Sequence, residues 1–142
     1  MTLKTRMYQV IFWEHQLSNQ NLIITKIEFN LYYKAMDLSK KKCKPCEGGI
    51  APLNEKEIAE FRKFISGDWN VIDINKLTKE FFFVSYRQTI DFINRVADIA
   101  EEEGHHPVLH IYFGRVVIEL WTHSINGLSD NDFILASKID KL

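Results

Sequence analysis

The clearest structural signal in this chain is the stretch of residues 85–104, which reads SYRQTIDFINRVADIAEEEG. Ser85 is favourable at the start of a helix, Gln88 follows it at the capping-box position, and Gly104 readily adopts the left-handed conformation that ends a helix. Apolar residues recur between them at helical spacing, at Ile90, Ile93, Val96, Ala97 and Ala100. We therefore predict one long helix with a single buried face.

Two further helices carry the same kind of signal. Asn54 is followed three residues later by Glu57, which predicts a capping box for a helix that ends at Gly67. Ser129 and Asp132 repeat this arrangement, and the helix that follows them is predicted to run to about the last residue. The chain is therefore expected to contain three helices, with the longest in the middle.

Four strand-like runs lie between these helices, in two pairs. The first pair covers residues 69–73 and 77–84, and the second covers residues 111–113 and 115–123 around Gly114. The resulting order is α-β-β-α-β-β-α, without a β-α-β crossover between neighbouring strands of a hairpin. It predicts an α+β fold in which a four-stranded antiparallel sheet carries three helices on one face. The open sheet face and the sheet edges favour oligomerisation.

The composition excludes several classes of protein. With 142 residues, 46% of them hydrophobic and 26% charged, the chain has the make-up of one folded domain rather than of a disordered protein. A net charge of −1 argues against a nucleic-acid-binding protein, and no apolar run is long enough to span a membrane. Two cysteines cannot form a disulfide framework, which favours a reducing compartment. We expect a cytoplasmic protein.

The composition changes near residue 49. Residues 1–49 are predicted to form an N-terminal extension that ends in a basic loop with Cys43 and Cys46, and residues 50–142 to form the folded domain. Residues 22–29 alternate in part and could form a strand. A transit peptide and a functional start at Met36 are both open interpretations of the beginning of the chain.

Four of the five histidines fall between residues 105 and 123. His105, His106 and Pro107 follow the glycine that ends the long helix, and the proline holds His106 in an extended conformation, so the two imidazole rings must diverge. His123 is predicted to end the last strand, beside the start of the third helix. Polar residues in such places are typical of functional sites. Taken alone, the two adjacent histidines are more simply a solvated surface pair, and Asp132 is accounted for by its capping role.

Metal binding is a competing interpretation of these residues. The four clustered histidines could supply three imidazole ligands, as in catalytic zinc sites. However, their spacing matches no zinc-protease motif, and adjacent histidines in an extended segment point to opposite sides. Cys43 and Cys46 form half of a four-cysteine zinc module, and no thioredoxin-like pattern surrounds them. We therefore expect neither a metal nor an organic cofactor.

The chain also contains a long, ordered series of short motifs. They are Trp69-Asn70, Ala100-Glu101, His105-His106-Pro107, Thr122-His123, Gly127-Leu128-Ser129-x-x-Asp132 and Ile134-Leu135-Ala136. In this order, over about residues 50–142, they closely resemble the pterin-4a-carbinolamine dehydratase family. The leader from Lys42 to Gly49 also resembles the leader of one branch of that family.

The resemblance implies an enzyme that dehydrates 4a-hydroxytetrahydrobiopterin to quinonoid dihydropterin and water. Such a hydro-lyase recycles the pterin cofactor of aromatic amino acid hydroxylases. By position, the catalytic residues would be His105, His106 and His123. The substrate-binding residues would be Trp69, Glu101, Gly104, Pro107, Trp121, Thr122, Ser124 and Asp132. A homodimer or homotetramer is expected, with a small pterin as the ligand and with neither nucleic acid nor a membrane as a partner.

Imidazole groups suit this reaction because they both donate and accept protons near neutral pH. We expect His123 and either His105 or His106 to form the acid–base pair, with the remaining histidine binding the pterin. The animal enzymes differ from this chain in having Asp at the position of Gly104, Trp at the position of Leu109 and Arg at the position of Asn131. The resemblance leaves one alternative, since animal members also act as dimerisation partners of a transcription factor without using the histidines.

Overall fold

The computed structural model of the protein describes residues 37–45 and 51–142. All of the described residues belong to one compact unit, residues 37–142. The strand predicted at residues 22–29 and the second cysteine of the basic loop, Cys46, therefore lie outside the described residues.

The described part of the chain contains three α-helices and four strands in the predicted order. The helices are α1 (Glu55–Phe61), α2 (Tyr86–Glu103) and α3 (Asp130–Ile139). The strands are β1 (Asn70–Ile72), β2 (Lys76–Phe82), β3 (Val108–Ile111) and β4 (Arg115–Leu120). Short 3-10 helices cover Leu38–Lys40, Arg62–Phe64 and His123–Ile125.

Local sequence signals determine where the helices start. The capping boxes at Asn54 and Ser129 are both formed, as predicted. The Ser85 side chain accepts a hydrogen bond from the backbone N–H of Gln88 at 3.2 Å. Gly104 ends α2 in the left-handed conformation, with a φ of 63°. These ends depend on residues within a few positions of one another, which is why the sequence predicts them well.

Two predictions about the helices are wrong. Helix α1 ends at Phe61 rather than at Gly67, because a 3-10 turn follows it directly. The buried face of α2 is rotated from the predicted one and consists of Thr89, Phe92, Val96, Ala100 and Glu103. Of the other predicted residues, Ile90 and Ile93 are half-buried and Ala97 is exposed. The rotation places two polar residues on the buried face, and the Thr89 hydroxyl is satisfied there by the carbonyl of Phe113 at 3.0 Å.

The sheet has the strand order β1-β2-β4-β3, and every neighbouring pair is antiparallel. Its inner face carries the fully buried side chains of Leu77, Val116, Ile118 and Leu120. Helix α2 packs on this face through Phe92, whose ring centroid lies 4.7 Å from that of Phe81 on β2. The fold is the predicted α+β sandwich. No helix among residues 37–45 and 51–142 combines the length and apolar character needed to cross a membrane.

The hairpin of β3 and β4 is displaced from its predicted position. Strand β3 starts at Val108, and β4 ends at Leu120 rather than at His123. Beyond β4, the backbone N–H of Thr122 donates to the carbonyl of Gly127 at 2.9 Å, which closes a short loop that holds His123 in a 3-10 turn. Strand ends depend on cross-strand partners, so the residue pattern alone could not locate them.

Candidate active site

The buried carboxylate of Asp132 is the centre of the candidate site. Its residue is completely inaccessible to solvent, and His105 Nε2 lies 2.7 Å from its Oδ1. Its Oδ2 accepts hydrogen bonds from Thr122 Oγ1 at 2.9 Å and from the backbone N–H of Ser129 at 2.8 Å. Because a carboxylate only accepts hydrogen bonds, we assign the proton of the first contact to His105 Nε2.

Three elements bring these groups together. Gly104 turns the chain sharply at the end of α2, and the backbone N–H of His105 returns to the carbonyl of Ala100 at 3.2 Å. Thr122 follows the end of β4, and its side chain is buried beneath the helices. Asp132 lies in the first turn of α3. The end of α2 and the start of α3 are thus joined to the end of β4 through the Asp132 carboxylate.

His106 lies on the exposed side of the same segment. Its Nε2 is 2.8 Å from Glu101 Oε1, and the two side chains are 60% and 78% exposed. An ion pair so open to water contributes little to stability. Its significance is chemical, since a carboxylate at one ring nitrogen orients the imidazole and sets its tautomer. Pro107 is half-buried and leads directly into β3.

His123 and Trp121 form a second group at the end of β4, in which His123 is exposed and Trp121 is half-buried. Their ring centroids lie 4.5 Å apart in an edge-on contact. The Lys76 ammonium lies 4.5 Å from the centroid of the Trp121 ring and forms a 2.8 Å ion pair with Glu119. This hydrogen-bonded ammonium lowers the pKa of Glu119. Ser124 follows His123 in the 3-10 turn and is exposed.

The strand register relates the exposed side of the site to its buried side. Strands β3 and β4 are antiparallel, and continuing their register past the strand ends sets His106 opposite Trp121 and His105 opposite Thr122. The second pairing agrees with the bonds that both side chains make to Asp132. Because side chains alternate along a strand, one pair faces the helices and the other faces the open side of the sheet.

Most of the residues predicted from sequence therefore lie on three adjoining segments. These are residues 101–107, residues 121–124 and Asp132 at the start of α3. The structure does not bring Trp69 to them. Trp69 is fully buried, and its Nε1 donates to Asp140 Oδ1 at 3.0 Å, just after the end of α3. Asp140 is about 12 Å from Asp132 along the helix axis.

The metal interpretation finds no support among the residues that the structure describes, where no three His, Cys, Asp or Glu side chains are arranged to hold an ion. Cys43 Sγ lies 3.7 Å from the backbone carbonyl of Asn131. The other cysteine of the predicted motif is outside the described residues.

Two contributors to the site are not predicted from the sequence. The sequence pattern places Lys76 between the first two strands, but it is the first residue of β2 and reaches Trp121, just past the end of the neighbouring strand β4. The alternation of Lys76, Thr78 and Glu80 on the polar face of β2 is the signal that could have located it. Ser129 is predicted only as a cap, but its hydroxyl also lies 2.7 Å from Thr122 Oγ1.

With this geometry established, comparison with known proteins gives the family. The family model described as pterin 4 alpha carbinolamine dehydratase matches residues 51–142. The chain belongs to this family. The His105-His106-Pro107 segment, the 121–124 turn and Asp132 all lie within the matched range. Membership of the pterin-4a-carbinolamine dehydratase family supports a dehydratase, that is, a hydro-lyase, activity.

Individual relatives agree with this assignment. A protein of Rickettsia canadensis, named provisionally as a pterin-4-alpha-carbinolamine dehydratase, is 48% identical over 103 residues, or 72% of this chain and 94% of its own. A protein of Rubrobacter xylanophilus with the same provisional name is 41% identical over 106 residues, or 75% of this chain and 98% of its own. The crystal structure of a transcriptional coactivator/pterin dehydratase from Brucella melitensis superposes with a TM-score of 0.59 at 30% identity, covering 63% of this chain and 96% of that one.

Proposed function

We propose that this member of the pterin-4a-carbinolamine dehydratase family converts 4a-hydroxytetrahydrobiopterin to quinonoid dihydropterin and water, and so recycles the pterin cofactor of aromatic amino acid hydroxylases. The observation that carries the proposal is the arrangement around Asp132. One imidazole, His105, is buried and bonded to the carboxylate, and two others, His106 and His123, are exposed on the segments that His105 and Thr122 anchor.

The reaction needs two proton transfers and no redox step. The C4a–O bond breaks, and the departing hydroxyl takes up a proton to leave as water. The N5 lone pair forms the new C4a=N5 bond, and the proton on N5 is lost to a base. Each properly placed acid or base contributes about 100- to 10,000-fold to such a rate. The departing hydroxyl gains one proton and N5 loses one, so one imidazole acting as acid and one acting as base are sufficient for the reaction.

Exposure distinguishes the roles of the three histidines. His106 and His123 are open to a bound substrate, and Glu101 orients the His106 ring through their 2.8 Å contact. We assign the acid–base pair to these two histidines. His105 is only 5% exposed and tied to Asp132, so its role is to hold the floor of the site and contact the pterin at its edge.

The remaining site residues would enclose the pterin ring. Trp121 presents an aromatic face at the end of β4, which suits stacking against a bicyclic heteroaromatic ring. Gly104 and Pro107 shape the turn that carries the two adjacent histidines. Thr122 holds the opposite segment to Asp132, and Ser124 offers an exposed hydroxyl beside His123.

A stopped-flow assay with enzymatically generated 4a-hydroxytetrahydropterin tests this assignment. His123→Ala and His106→Ala are each expected to lower kcat by 100-fold or more, because each removes one proton-transfer group. His110→Ala is the matched control, since this histidine is also exposed and nearby, pairs with Glu119 at 3.7 Å and has no proton-transfer role in the proposed reaction. A His123→Ala protein that works at the wild-type rate, or a control that loses as much activity, would refute the assignment.

A non-enzymatic role as a dimerisation partner is the second candidate. The similar Brucella melitensis protein is titled a transcriptional coactivator as well as a pterin dehydratase. The described surface also carries large apolar side chains beside the second hairpin, with Phe82 71%, Val84 92% and Phe113 74% exposed. Such a surface favours self-association, as a homodimer or homotetramer, or another protein partner. This role predicts a complex whose formation, followed by light scattering, is indifferent to His106→Ala and His123→Ala.

A further inference from the structure

Residues 42–44 cross two of the elements that carry the candidate site, and we refer to them as the strap. The backbone N–H of Cys43 donates to Glu103 Oε2 at 2.7 Å, at the end of α2. The backbone N–H of Lys44 donates to Asn131 Oδ1 at 2.9 Å, and Asn131 Nδ2 donates back to the carbonyl of Lys44 at 2.8 Å, at the start of α3. The strap thus bonds both helices through its main chain.

The two side chains that receive the strap flank the His105–Asp132 pair. Glu103 precedes His105 by two residues, and Asn131 directly precedes Asp132. Both Glu103 and Asn131 are buried, at 6% and 4% exposure. A buried polar side chain adopts the geometry that its hydrogen-bond partners dictate, so the strap acts on the backbone at both ends of the pair.

Ion pairs reinforce the end of the strap that contacts α2. Glu103 Oε1 lies 2.9 Å from Lys138 Nζ on α3 and 3.5 Å from Lys42 Nζ on the strap. The Lys42 ammonium also donates to the carbonyl of Glu102 at 2.8 Å, near the negative end of the α2 dipole. Glu103 therefore joins α2, α3 and the strap at a single carboxylate.

We propose that the strap, through Asn131 and Glu103, holds the end of α2 and the start of α3 at the spacing that the His105–Asp132 hydrogen bond requires. Asn131 and Glu103 are positioning residues, because neither touches the reacting atoms. The consequence for catalysis rests on the proposed function. Loss of this positioning should lower kcat, because a displacement of about 1 Å in a catalytic group can cost 100-fold in rate.

The test compares Asn131→Ala and Glu103→Gln with wild type in the full chain. The first readout is the NMR signal of the His105 Nε2 proton, which a charge-assisted bond to a carboxylate shifts downfield and protects from exchange with water. The signal is assigned by its loss in His105→Gln. We expect about tenfold faster exchange of this proton in Asn131→Ala and a smaller increase in Glu103→Gln, which keeps an acceptor for the Cys43 N–H.

The second readout is the stopped-flow rate, for which we expect kcat to fall about tenfold in Asn131→Ala with little change in KM. Asp37→Ala is the control, because it breaks a 2.7 Å ion pair with Lys141 outside the strap. If Asn131→Ala does not fold, Asn131→Asp replaces it. Asn131→Asp keeps the acceptor for the Lys44 N–H but loses the donor to the Lys44 carbonyl. Both readouts should therefore change in the same direction as in Asn131→Ala, but by a smaller factor.

The outcomes separate this inference from the proposed function. If the Asn131 and Glu103 variants exchange the His105 proton as slowly as Asp37→Ala does, the strap does not position the pair and the inference is overturned. If the wild-type protein does not dehydrate the carbinolamine, the proposed function fails, while the proton-exchange readout still decides the positioning. Faster exchange together with a lower kcat supports both.

Discussion

Replacing Asp132 with Asn tests the centre of the site with almost no change in shape. The three shortest hydrogen bonds to the native carboxylate come from His105 Nε2, Thr122 Oγ1 and the backbone N–H of Ser129, and a longer one of 3.4 Å comes from the Ser129 hydroxyl. An amide offers one oxygen and one NH2 group, so it cannot accept at both positions. Either His105 must change tautomer to meet the NH2 group, or the donors at Oδ2 must face another donor.

The cost follows from the hydrogen-bond energies. A bond to a charged group contributes about 1.5–3 kcal/mol and a neutral one about 0.5–1.5 kcal/mol, so losing the charge weakens each of the three bonds by about 1 kcal/mol. We expect Asp132→Asn to lower the free energy of unfolding by about 3 kcal/mol and the Tm by roughly 10 °C. The kcat should fall by about 100-fold, since the segment that carries His106 loses the anchor that the His105–Asp132 bond provides.

Urea unfolding and the stopped-flow assay measure these two effects. Asp130→Asn is the matched control, with the same change in the same turn of α3. Asp130 forms a 2.8 Å ion pair with Lys44, whose side chain is 68% exposed, so its loss should cost less than about 1 kcal/mol. If Asp132→Asn unfolds at the same urea concentration as Asp130→Asn and keeps its kcat, the buried carboxylate does not organise the site as we argue.

Three further predictions concern stability. Burial alone would raise the pKa of Glu103, but the Cys43 N–H and the Lys138 ammonium hold that pKa at about 2, below the ordinary value of 4.5. The stabilisation that the ionised Glu103 provides is therefore present above about pH 4.5 and is lost as the pH falls toward 2. Urea midpoints of wild type and Glu103→Gln should therefore converge over that range. Gly114→Ala would place a Cβ 2.7 Å from the Phe83 carbonyl oxygen and should cost about 1–3 kcal/mol in urea unfolding. Trp69→Phe removes the indole N–H bonded to Asp140 and should cost about 1–3 kcal/mol in the same assay.

The first two of these predictions have a control variant elsewhere in the chain. Glu102→Gln changes an exposed neighbour of Glu103 and should not alter the acid dependence in the same way. Gly67→Ala adds a Cβ with no atom within 4 Å and should be nearly neutral. An unchanged urea midpoint in Trp69→Phe would contradict a structural role for the indole N–H.

The helix boundaries show how far local signals reach. Asn54, Ser85 and Ser129 start helices, and Gly104 ends one, as the sequence predicts. A capping side chain bonds a backbone group two or three residues away, so all the information lies within one turn. The buried face of α2 is harder to predict, because the rings of Phe81 and Phe83, which pack on Phe92, come from outside the helix.

The sequence predicts which residues belong to the candidate site, but it does not predict how they are arranged in space. The motif around the adjacent histidines, the turn at His123 and Asp132 can all be located from the sequence. The contact of Lys76 with Trp121 and the bond between Asn131 and Lys44 join residues far apart along the chain. The role of Trp69 also depends on its partner, Asp140, at the far end of α3.

The sequence by itself determined the order of helices and strands, the starts of the helices, the end of α2 at Gly104 and the family motif, because these depend on neighbouring residues. Only the tertiary structure decided which imidazole is buried and which are exposed, since burial depends on what packs above each ring. It also decided that the strap bonds both α2 and α3. On the strap those bonds use backbone N–H and C=O groups, which do not depend on the side chain, so the residue types of the strap do not predict them.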